Sequence, residues 1–529
     1  MDHKIWLYLY GAISITFAYF LCLVFYRLFL SPLANFPGPA LAAASGWYEA
    51  YFQLVKQGRF TWQIEHLHKK YGPVVRIKPN EVHVHDPDNY TTLYSGPTHN
   101  REKERWFYYT GLPLSLFSTP DHRTHRARRS LISPFFTRKA VREFQPVLQD
   151  KLQLLYRHFS KSINHDLPLE LHTAFISFAG DAMSQYAFGE QRGFNFLDEP
   201  ELMPIWKNGV NAMFGGARLV RQFPFLYFLR NLIPPVSRIV YPTFSRIEYL
   251  EHVSKYRLAT SVIASSLTIY QTVKKMVKQA IQDHRDGILD DKQKKKAIYP
   301  AMLANDKLPP SEKETKRLQD EATFFMLAAS DAPSQALAIT TFHILDNPEV
   351  LRKLREELFS AFPEVTSISS LDELEPLPYL TAVLKEGLRL SNIVVPRQPR
   401  VAPDETLQFH NWTIPPGTPV SMTIYHILRD PQIFPEPTKF NPERWLVGQE
   451  ELRKLEKYLV PFSKGGLGCL GPNMAWAWLY LVIGNILRRF DLVLYNTTRE
   501  NVEMVQDNFS GQTADGMNIV QVKVRREHR

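Results

Sequence analysis

The chain has 529 residues, of which 44% are hydrophobic and 22% are charged. This balance is typical of a folded globular protein, since it is too apolar for a disordered chain and too charged for a multi-span membrane protein. Lys and Arg number 63 against 53 Asp and Glu, which gives a net charge of +10. Over this length the bias is mild. It suits an anionic membrane surface or an acidic partner, and we expect no nucleic-acid partner.

Cysteine is scarce in this sequence. The two cysteines are Cys22 and Cys469, which excludes a disulfide framework of the kind that staples small secreted domains. Cys22 lies in an apolar segment, where a thiol behaves as a small hydrophobe. Cys469 is therefore the single cysteine in the rest of the chain, and its neighbours decide whether it is reactive.

An uncharged apolar run opens the chain. Residues Ile5 to Tyr26 contain no Asp, Glu, Lys or Arg, and roughly 20 such residues are enough for a helix to cross a bilayer. The alternative is a cleaved signal peptide, whose apolar core is shorter and is followed by a small-residue cleavage site. This run ends at Arg27 without a convincing site. We predict an uncleaved membrane anchor over residues 1–30.

The segment after the anchor is rich in proline. Phe36-Pro37-Gly38-Pro39 makes a stiff, non-helical connector, so we predict a hinge over 31–39 and one large domain over 40–529. The periodicity of that domain predicts a mainly α fold with minor β. Helices are predicted over 122–160, 168–290, 316–345, 348–362, 379–390 and from Gly471 to about Phe490, and strands over 74–85, 395–425 and beyond 491.

Two segments of this domain have an apolar or charged composition that does not require a functional role. The stretch Gln222 to Leu232 is dense in Phe and Leu, and it suits either the core or a lid that faces a membrane or an apolar pocket. The charged run from Asp290 to Lys296 is most simply a solvated loop.

The residues around Cys469 form an unusual loop. Within Phe462 to Gly471, three glycines precede the cysteine and one follows it, and glycine permits close backbone approach to a flat cofactor. A helix is predicted to begin directly afterwards, and a helix N-terminus lowers a thiol pKa. A thiolate can be an axial ligand of haem iron. The alternative, a cysteine nucleophile, requires a nearby base, and no His or Asn pattern of that kind flanks Cys469.

At these residues the sequence resembles the cytochrome P450 superfamily in its membrane-anchored fungal form. Phe462, Gly465, Cys469 and Gly471 fit the family's cysteine loop, while the family's arginine position is Leu467. The resemblance implies a single haem-thiolate domain behind one transmembrane helix, with haem b bound through Cys469.

Two further motifs agree with this resemblance. Glu386 and Arg389 match the family's Glu-x-x-Arg helix, where residues three apart share a face. Arg444 matches its Pro-Glu-Arg element. The resemblance implies that these three residues form a buried structural ion network.

The haem propionates are expected to meet basic side chains. The run His122 to Arg129 resembles the family's C helix, and its register assigns His125 and Arg129, with His122 and Arg126 as the other register. Arg400 matches a strand arginine with the same role.

The oxygen-activation segment departs from the family pattern. Asp331 keeps the acid, but the catalytic Thr position is Ala332, which cannot relay protons through a hydroxyl. Pro333 has no N–H and leaves the carbonyl of Ala329 without its helical donor. The hypothesis is that this groove holds a water or a substrate hydroxyl as the relay.

Two more residues, in and after the cysteine loop, differ from the family pattern. Leu467 removes one charge-assisted propionate contact, worth about 1.5–3 kcal/mol, so weaker haem retention is expected. Trp478 stands where many relatives carry Glu, and no functional reason for it is apparent.

Three functions remain open at this point. The first is a monooxygenase that takes electrons from an NADPH-cytochrome P450 reductase and oxidises an apolar terpenoid- or polyketide-like metabolite. The second is a haem-thiolate enzyme of rearrangement, dehydration or peroxide chemistry, and the third is a non-catalytic relative. The resemblance implies an endoplasmic reticulum anchor with a cytosolic domain, which leaves four glycosylation motifs unused, at Asn89, Asn411, Asn496 and Asn508.

Overall fold

A computed structural model describes residues 3–202, 204–215, 217–225, 261–288, 296–514, 516 and 519–528. Most of the Gln222–Leu232 stretch and nearly all of the charged run 290–296 lie outside these residues. The predicted core-or-lid alternative for the first segment and the predicted loop for the second therefore remain predictions.

The first helix is the apolar N-terminal run. It spans His3–Phe25 and continues as a π-helix over Tyr26–Leu30. Trp6–Leu30 is long and apolar enough to cross a membrane, and its large side chains are exposed along its length. Exposed apolar side chains on every face are what a lipid-embedded helix requires.

Arg76 fixes the chain that leaves this helix. Its guanidinium donates to the carbonyls of Arg27, at 2.8 Å, and Leu33, at 3.1 Å, while its own N–H donates to Pro37 O at 2.7 Å. Gly38 packs so closely that a Cβ there would lie 2.4 Å from the carbonyl oxygen of Arg76. The proline-rich connector is therefore bonded to the first strand.

The α-helices, in chain order, are α1 His3–Phe25, α2 Ala40–Ala44, α3 Trp47–Ala50, α4 Phe60–Tyr71, α5 Tyr90–Leu93, α6 His122–Ile132, α7 Arg138–His165, α8 Leu171–Phe188, α9 Ile205–Gly215, α10 Ala217–Gln222, α11 Ser261–Arg285, α12 Ile298–Ala304, α13 Thr315–Leu345, α14 Pro348–Ala361, α15 Leu371–Leu374, α16 Pro378–Leu390, α17 Ile424–Ile427, α18 Gln449–Tyr458 and α19 Pro472–Arg489. The strands are β1 Val74–Lys78, β2 Glu81–Val84, β3 Glu102–Lys103, β4 Leu169–Glu170, β5 Arg400–Val401, β6 Leu407–Phe409, β7 Trp412–Ile414, β8 Pro419–Ser421, β9 Phe490–Leu494, β10 Gln506–Asn508, β11 Ser510–Gln512 and β12 Gln521–Glu527.

The strands form small sheets at the edges of a helical body. The five-stranded sheet has the order β1-β2-β8-β5-β3, with β2 and β8 parallel and its other pairs antiparallel. A three-stranded sheet has the order β4-β12-β9, and β6-β7 and β10-β11 form two-stranded pairs. The predicted mainly α fold with minor β is confirmed.

Helix α13 runs through the centre of the body and contacts α8, α11, α16 and α19. Between Arg317 and Phe342 nearly every side chain is buried. The exceptions lie one turn apart on a single face, which we call the open face: Phe324, Phe325, Ala328, Ala329 and Ala332. The spacing of three and four residues places them in one stripe, and we infer that this less closely packed face borders an interior cavity.

A cluster of four histidines supports the five-stranded sheet. His68 Nε2 lies 2.6 Å from His83 Nδ1, and His83 Nε2 lies 2.8 Å from the hydroxyl of Thr423. The rings of His85 and His426 pack against the same group. Burial lowers the pKa of His68 to about 4 and that of His426 to about 3, and it lowers the pKa of His83 well below its usual value. The imidazoles of His68, His83 and His426 are therefore neutral at physiological pH.

The free energy of unfolding should fall as the pH drops below about 6.5, the ordinary pKa of histidine, and the fall should continue to the lowered pKa values of the folded protein. The slope should be up to about 1.4 kcal/mol per pH unit for each of His68, His83 and His426. The unfolded chain binds protons in this window while the buried imidazoles do not. Urea unfolding at pH 7.5, 6.0 and 5.0 measures the slope. His426→Gln should flatten it, and His66→Gln, at an exposed position, should leave it unchanged. Equal slopes in both variants would contradict the assignment.

Candidate active site

The cysteine loop lies between α18 and α19. The Cys469 N–H donates to Phe462 O at 2.9 Å, and the Gly468 N–H donates to Gly465 O at 3.1 Å. Gly465 has a φ of +75°, and a Cβ there would lie 2.0 Å from the carbonyl oxygen of Ser95, so no other residue fits. The Cys469 side chain is accessible to solvent, and the surrounding protein nevertheless desolvates its thiol. We infer from this combination that the sulfur faces the interior cavity and not the outer surface.

The thiol of Cys469 is not activated by the protein alone. Burial raises its pKa, and this effect exceeds the lowering by the backbone N–H groups of Gly471 and Leu470 and by the charge of Arg129. The lowered pKa predicted from the helix N-terminus is therefore wrong for the isolated chain, because α19 begins only at Pro472 and desolvation dominates. A bound metal ion would deprotonate the thiol outright.

Helix α6 supplies a basic side chain to this loop. Arg129 donates from its two terminal nitrogens to Gly468 O at 2.7 Å and Cys469 O at 3.0 Å. His125, one turn earlier on the same face, is buried, whereas Arg126 is exposed. His125 and Arg129 thus lie beside the cysteine loop, and the assignment of this register to the propionates stays a prediction.

Arg400 and Lys103 complete a group of four basic residues, which we call the cation cluster: Lys103, His125, Arg129 and Arg400. Three of them are buried, and Arg129 is partly buried. Lys103 and Arg400 are direct partners across the β3–β5 pair, and Arg400 Nε is buried without a hydrogen-bond partner. Burial and the charges of Arg400 and Arg129 hold the Lys103 pKa well below its usual range. Burial and the neighbouring cations lower the pKa of His125 to about 2.

The cation cluster has little negative charge of its own. Among the described residues, the acid that acts on it is Glu321, which raises the Lys103 pKa but already accepts a hydrogen bond from Arg317 at 2.6 Å. Like charges directly opposite one another in a sheet are destabilising, and buried cations are normally paired. The cluster therefore fits a ligand that carries carboxylates.

Sequence analysis missed Lys103. It lies in a two-residue strand whose partner is about 300 positions away, and no local pattern reveals that pairing. Leu467, in the family's arginine position, lines a small cavity beside Arg400 and brings no charge. Lys103 supplies a cation that the sequence alone did not account for.

The two residues predicted to be catalytic lie on different faces of α13. Ala332 belongs to the open face, but Asp331 is buried. Gln335 donates to Asp331 Oδ2 at 2.7 Å, and His172 Nε2 lies 3.6 Å from Oδ1. Consecutive helical residues point about 100° apart, so the structure directs the Asp331 carboxylate toward α8 and not into the cavity.

Pro333 is accommodated without a break in α13. The helix is continuous over Thr315–Leu345. Ser334, the next residue, donates its hydroxyl to Ser330 O at 2.7 Å, but both serines are fully buried. The open face therefore carries no side-chain hydroxyl.

The cytochrome P450 family model matches residues 45–513. The chain belongs to the cytochrome P450 family. A tryptophan 6-hydroxylase of Fusarium equiseti is 38% identical over 91% of this chain and 90% of its own length. The cytochrome P450 monooxygenase TRI4 of Trichoderma arundinaceum is 34% identical, with 95% and 92% covered, and a conidiogenone synthase of Penicillium rubens is 34% identical, with 91% and 92% covered.

Membership makes this P450 a monooxygenase and an oxidoreductase, with haem held by an axial cysteine. The residues present fit that cofactor. The cation cluster matches the two propionate carboxylates of haem, and Cys469 presents sulfur to the same cavity.

The ion network of this P450 is assembled around one carboxylate. Arg389 binds both oxygens of Glu386 at 2.8 Å, Arg444 Nε binds Oε1 at 3.0 Å, and the indole N–H of Trp445 donates to Oε2 at 3.0 Å. Glu386 and Arg389 are fully buried. Trp478, by contrast, has an unpartnered indole N–H in the core and packs edge-on against Phe178, and nothing in the structure gives it a function.

Replacing Arg389 by Met should destabilise the protein by about 3–5 kcal/mol, because it leaves the Glu386 charge buried with only part of its compensation. Arg352→Met is the matched control. Arg352 binds Glu349 at 2.7 Å but is half exposed, and exposed pairs contribute about 0–1 kcal/mol. Thermal unfolding of the haem-loaded protein measures both. Equal losses would show that the network adds nothing beyond a surface pair.

Replacing Lys103 by Met should weaken haem retention by about 1.5–3 kcal/mol, the value of a hydrogen bond to a charged group. In the haem-free protein the change relieves repulsion from Arg400 but removes the hydrogen bonds that Lys103 donates to Leu116 O at 3.2 Å and Phe117 O at 2.6 Å, so the free energy of unfolding should change less than haem retention. Competition for haem by apomyoglobin measures the first effect, and unfolding of the haem-free protein measures the second. Lys161→Met, at a surface lysine that donates to Pro200 O, should change neither. Haem retention equal to that of the wild type would contradict the role assigned to Lys103.

Proposed function

We propose that this P450 is a membrane-anchored monooxygenase that oxidises an apolar, terpenoid- or polyketide-like secondary metabolite. It uses dioxygen and electrons from an NADPH-cytochrome P450 reductase. The observation that supports this most strongly is the cavity itself. One wall is a cysteine loop flanked by the four basic residues of the cation cluster, and another is the apolar open face of α13.

Each site residue has a role in this proposal. Cys469 would hold the haem iron through its sulfur, and the cation cluster would face the propionates. Gly465, Phe462 and Gly471 shape the loop, and Leu467 would bring no charge to the haem. Bound there, the haem supplies dioxygen activation and oxygen transfer, while the protein supplies the ligand, the pocket and the protons.

The open face favours a hydrocarbon substrate. Ala328, Ala329 and Ala332 leave room above the cysteine loop, and Phe324 and Phe325 extend the same apolar surface. The name of the Fusarium relative indicates action on tryptophan. A free amino acid would require partners for its ammonium and carboxylate groups, and the open face provides none.

Proton supply cannot depend on a hydroxyl at position 332. Pro333 leaves the carbonyl of Ala329 without its helical donor, and Ala329 lies on the open face. We propose that a water or a substrate hydroxyl donates to this carbonyl and holds the proton that the reaction consumes. In this proposal Asp331 is a positioning residue that fixes α13 through Gln335.

The anchor places this activity at a membrane. We propose that residues 1–30 span the endoplasmic reticulum membrane once, that 31–39 form the hinge, and that the catalytic domain, 40–529, faces the cytosol. The four glycosylation motifs are then unused, because they face the cytosol.

One observation favours a second candidate, a haem-thiolate enzyme of non-oxygenase chemistry. Ala332 has no hydroxyl and Asp331 is turned away from the cavity, so the usual proton relay is missing. Dependence on NADPH and the reductase separates the two candidates.

The test is reconstitution of the full chain with its reductase in vesicles, under labelled dioxygen. Cedrene serves as the hydrocarbon probe and L-tryptophan as the polar one. The proposal predicts NADPH-dependent incorporation of one labelled oxygen atom into the hydrocarbon. Product formed without NADPH, or without label, would favour the second candidate.

Pro333→Ala should lower the product formed per NADPH about tenfold, within the range of a lost proton-transfer contribution. The variant restores an N–H donor to Ala329 O and so removes the proposed relay site. Ala332→Thr should change the product formed per NADPH, which we call the coupling, by less than about threefold, since the water or substrate hydroxyl at Ala329 O already relays the proton. Ala328→Thr, which adds a hydroxyl one turn away, is the control. A hundredfold rise in coupling for Ala332→Thr would show that the wild-type groove has no adequate relay.

A further inference from the structure

The segment before α6 is buried although it is irregular. Residues 112–119 form no helix or strand, yet the buried side chains among them are Leu112, Ser115, Leu116, Ser118 and Thr119. A buried backbone N–H or C=O requires a hydrogen-bond partner, so an irregular segment is stable in such a place only where other groups supply the bonds. Phe117 stacks on Phe324 of the open face with ring centroids 4.1 Å apart. We call residues 112–119 the covering loop.

Two carboxylates near the start of α13 hold the covering loop by its N–H groups. The Leu114 N–H donates to Asp320 Oδ2 at 3.2 Å, and the Leu116 N–H donates to Glu321 Oε2 at 2.8 Å. Both acids are buried, and a hydrogen bond to an ionised group is stronger than one between neutral groups. These bonds connect the loop to α13 and involve no residue of the cation cluster.

Basic side chains hold the covering loop by its carbonyl groups. Arg128 donates to Leu114 O at 3.1 Å. Lys103 donates from Nζ to Leu116 O at 3.2 Å and to Phe117 O at 2.6 Å. Because an ammonium group has three N–H donors, Lys103 keeps one of them for a further acceptor.

Lys103 therefore connects the covering loop to the cation cluster. It lies directly opposite Arg400 across the β3–β5 pair. Burial and the charges of Arg400 and Arg129 hold the Lys103 pKa well below its usual range, against the opposing charge of Glu321. A hydrogen bond from a charged donor is about twice as strong as one from a neutral donor. An anion beside the cluster would favour the ammonium form and so strengthen both bonds to the loop.

We propose that Lys103 is a positioning residue that makes the order of the covering loop depend on the carboxylates of the haem. This inference rests on the role proposed for the cation cluster. With the carboxylates present, Lys103 holds Leu116 O and Phe117 O and the loop stays closed over α13. Without them the two bonds weaken, and the loop is held mainly by its N–H groups. The cavity is then fully enclosed only in the protein that carries its cofactor.

The test compares two cofactors in the full-length protein. One is haem b, and the other is haem dimethyl ester, in which both carboxylates are methyl esters while the iron and the ring are the same. Backbone hydrogen exchange of residues 112–119, measured by mass spectrometry, reports how often the covering loop opens. In the wild type the exchange should be about tenfold faster with the ester, because the two bonds from Lys103 lose their charge assistance.

Two variants assign this effect to a side chain. Lys103→Met removes both bonds to the loop, so the exchange should be fast with either cofactor and should differ by less than about twofold between them. Lys313→Met is the matched control, because Lys313 is partly buried and also donates to a backbone carbonyl, Leu303 O at 2.9 Å, but lies outside the cation cluster. It should keep the wild-type difference. The carbon monoxide difference spectrum of each sample shows that the cofactor is bound through the thiolate.

The outcomes are distinguishable. Equal exchange with both cofactors in the wild type, with the ester retained less tightly than haem b, would overturn the coupling and leave the role of the cation cluster standing. An ester retained as tightly as haem b against apomyoglobin would overturn the role of the cluster and the coupling with it. A difference that persists in Lys103→Met would overturn the assignment to Lys103. The wild-type comparison requires no variant, so it decides the coupling even where Lys103→Met takes up no haem.

Discussion

The cation cluster is the constraint on which the rest of the site depends. Lys103 and Arg400 lie directly opposite each other in a buried sheet, with His125 and Arg129 beside them. Such an arrangement is costly in a protein without its ligand, because burial disfavours charge and like charges repel. A dianionic ligand reverses both effects. If haem is that ligand, its binding should stabilise the sheet, α6 and the cysteine loop together.

The two faces of helix α13 have different roles, since one packs against neighbouring elements and the other borders the cavity. The buried face holds Asp331 and Gln335, which connect the helix to α8 and to the β10–β11 turn. The open face is limited to small and aromatic apolar groups. In this chain the family's acid is bonded on the buried face, to Gln335. The proposed proton path therefore uses the backbone carbonyl that Pro333 leaves without a helical donor.

Local sequence motifs predicted much of the fold and of the candidate site. The anchor run, the long helix over 316–345, the Glu386–Arg389 spacing and the cysteine loop each depend on residues close in sequence. The failures have a common physical cause. The Lys103–Arg400 pair and the contact of Gln335 with Ser510 join residues far apart in the chain, so no spacing reveals them. The Cys469 pKa was predicted in the wrong direction because burial is a tertiary property, and it outweighs the backbone N–H groups.

The central claim is that Cys469 and the cation cluster together hold a thiolate-ligated haem. The most direct test is the carbon monoxide difference spectrum of the reduced, membrane-bound full chain. The account predicts the red-shifted Soret band of a thiolate-ligated ferrous haem, lost in Cys469→Ser. A band typical of a neutral axial ligand, or no band in a folded protein, would contradict it.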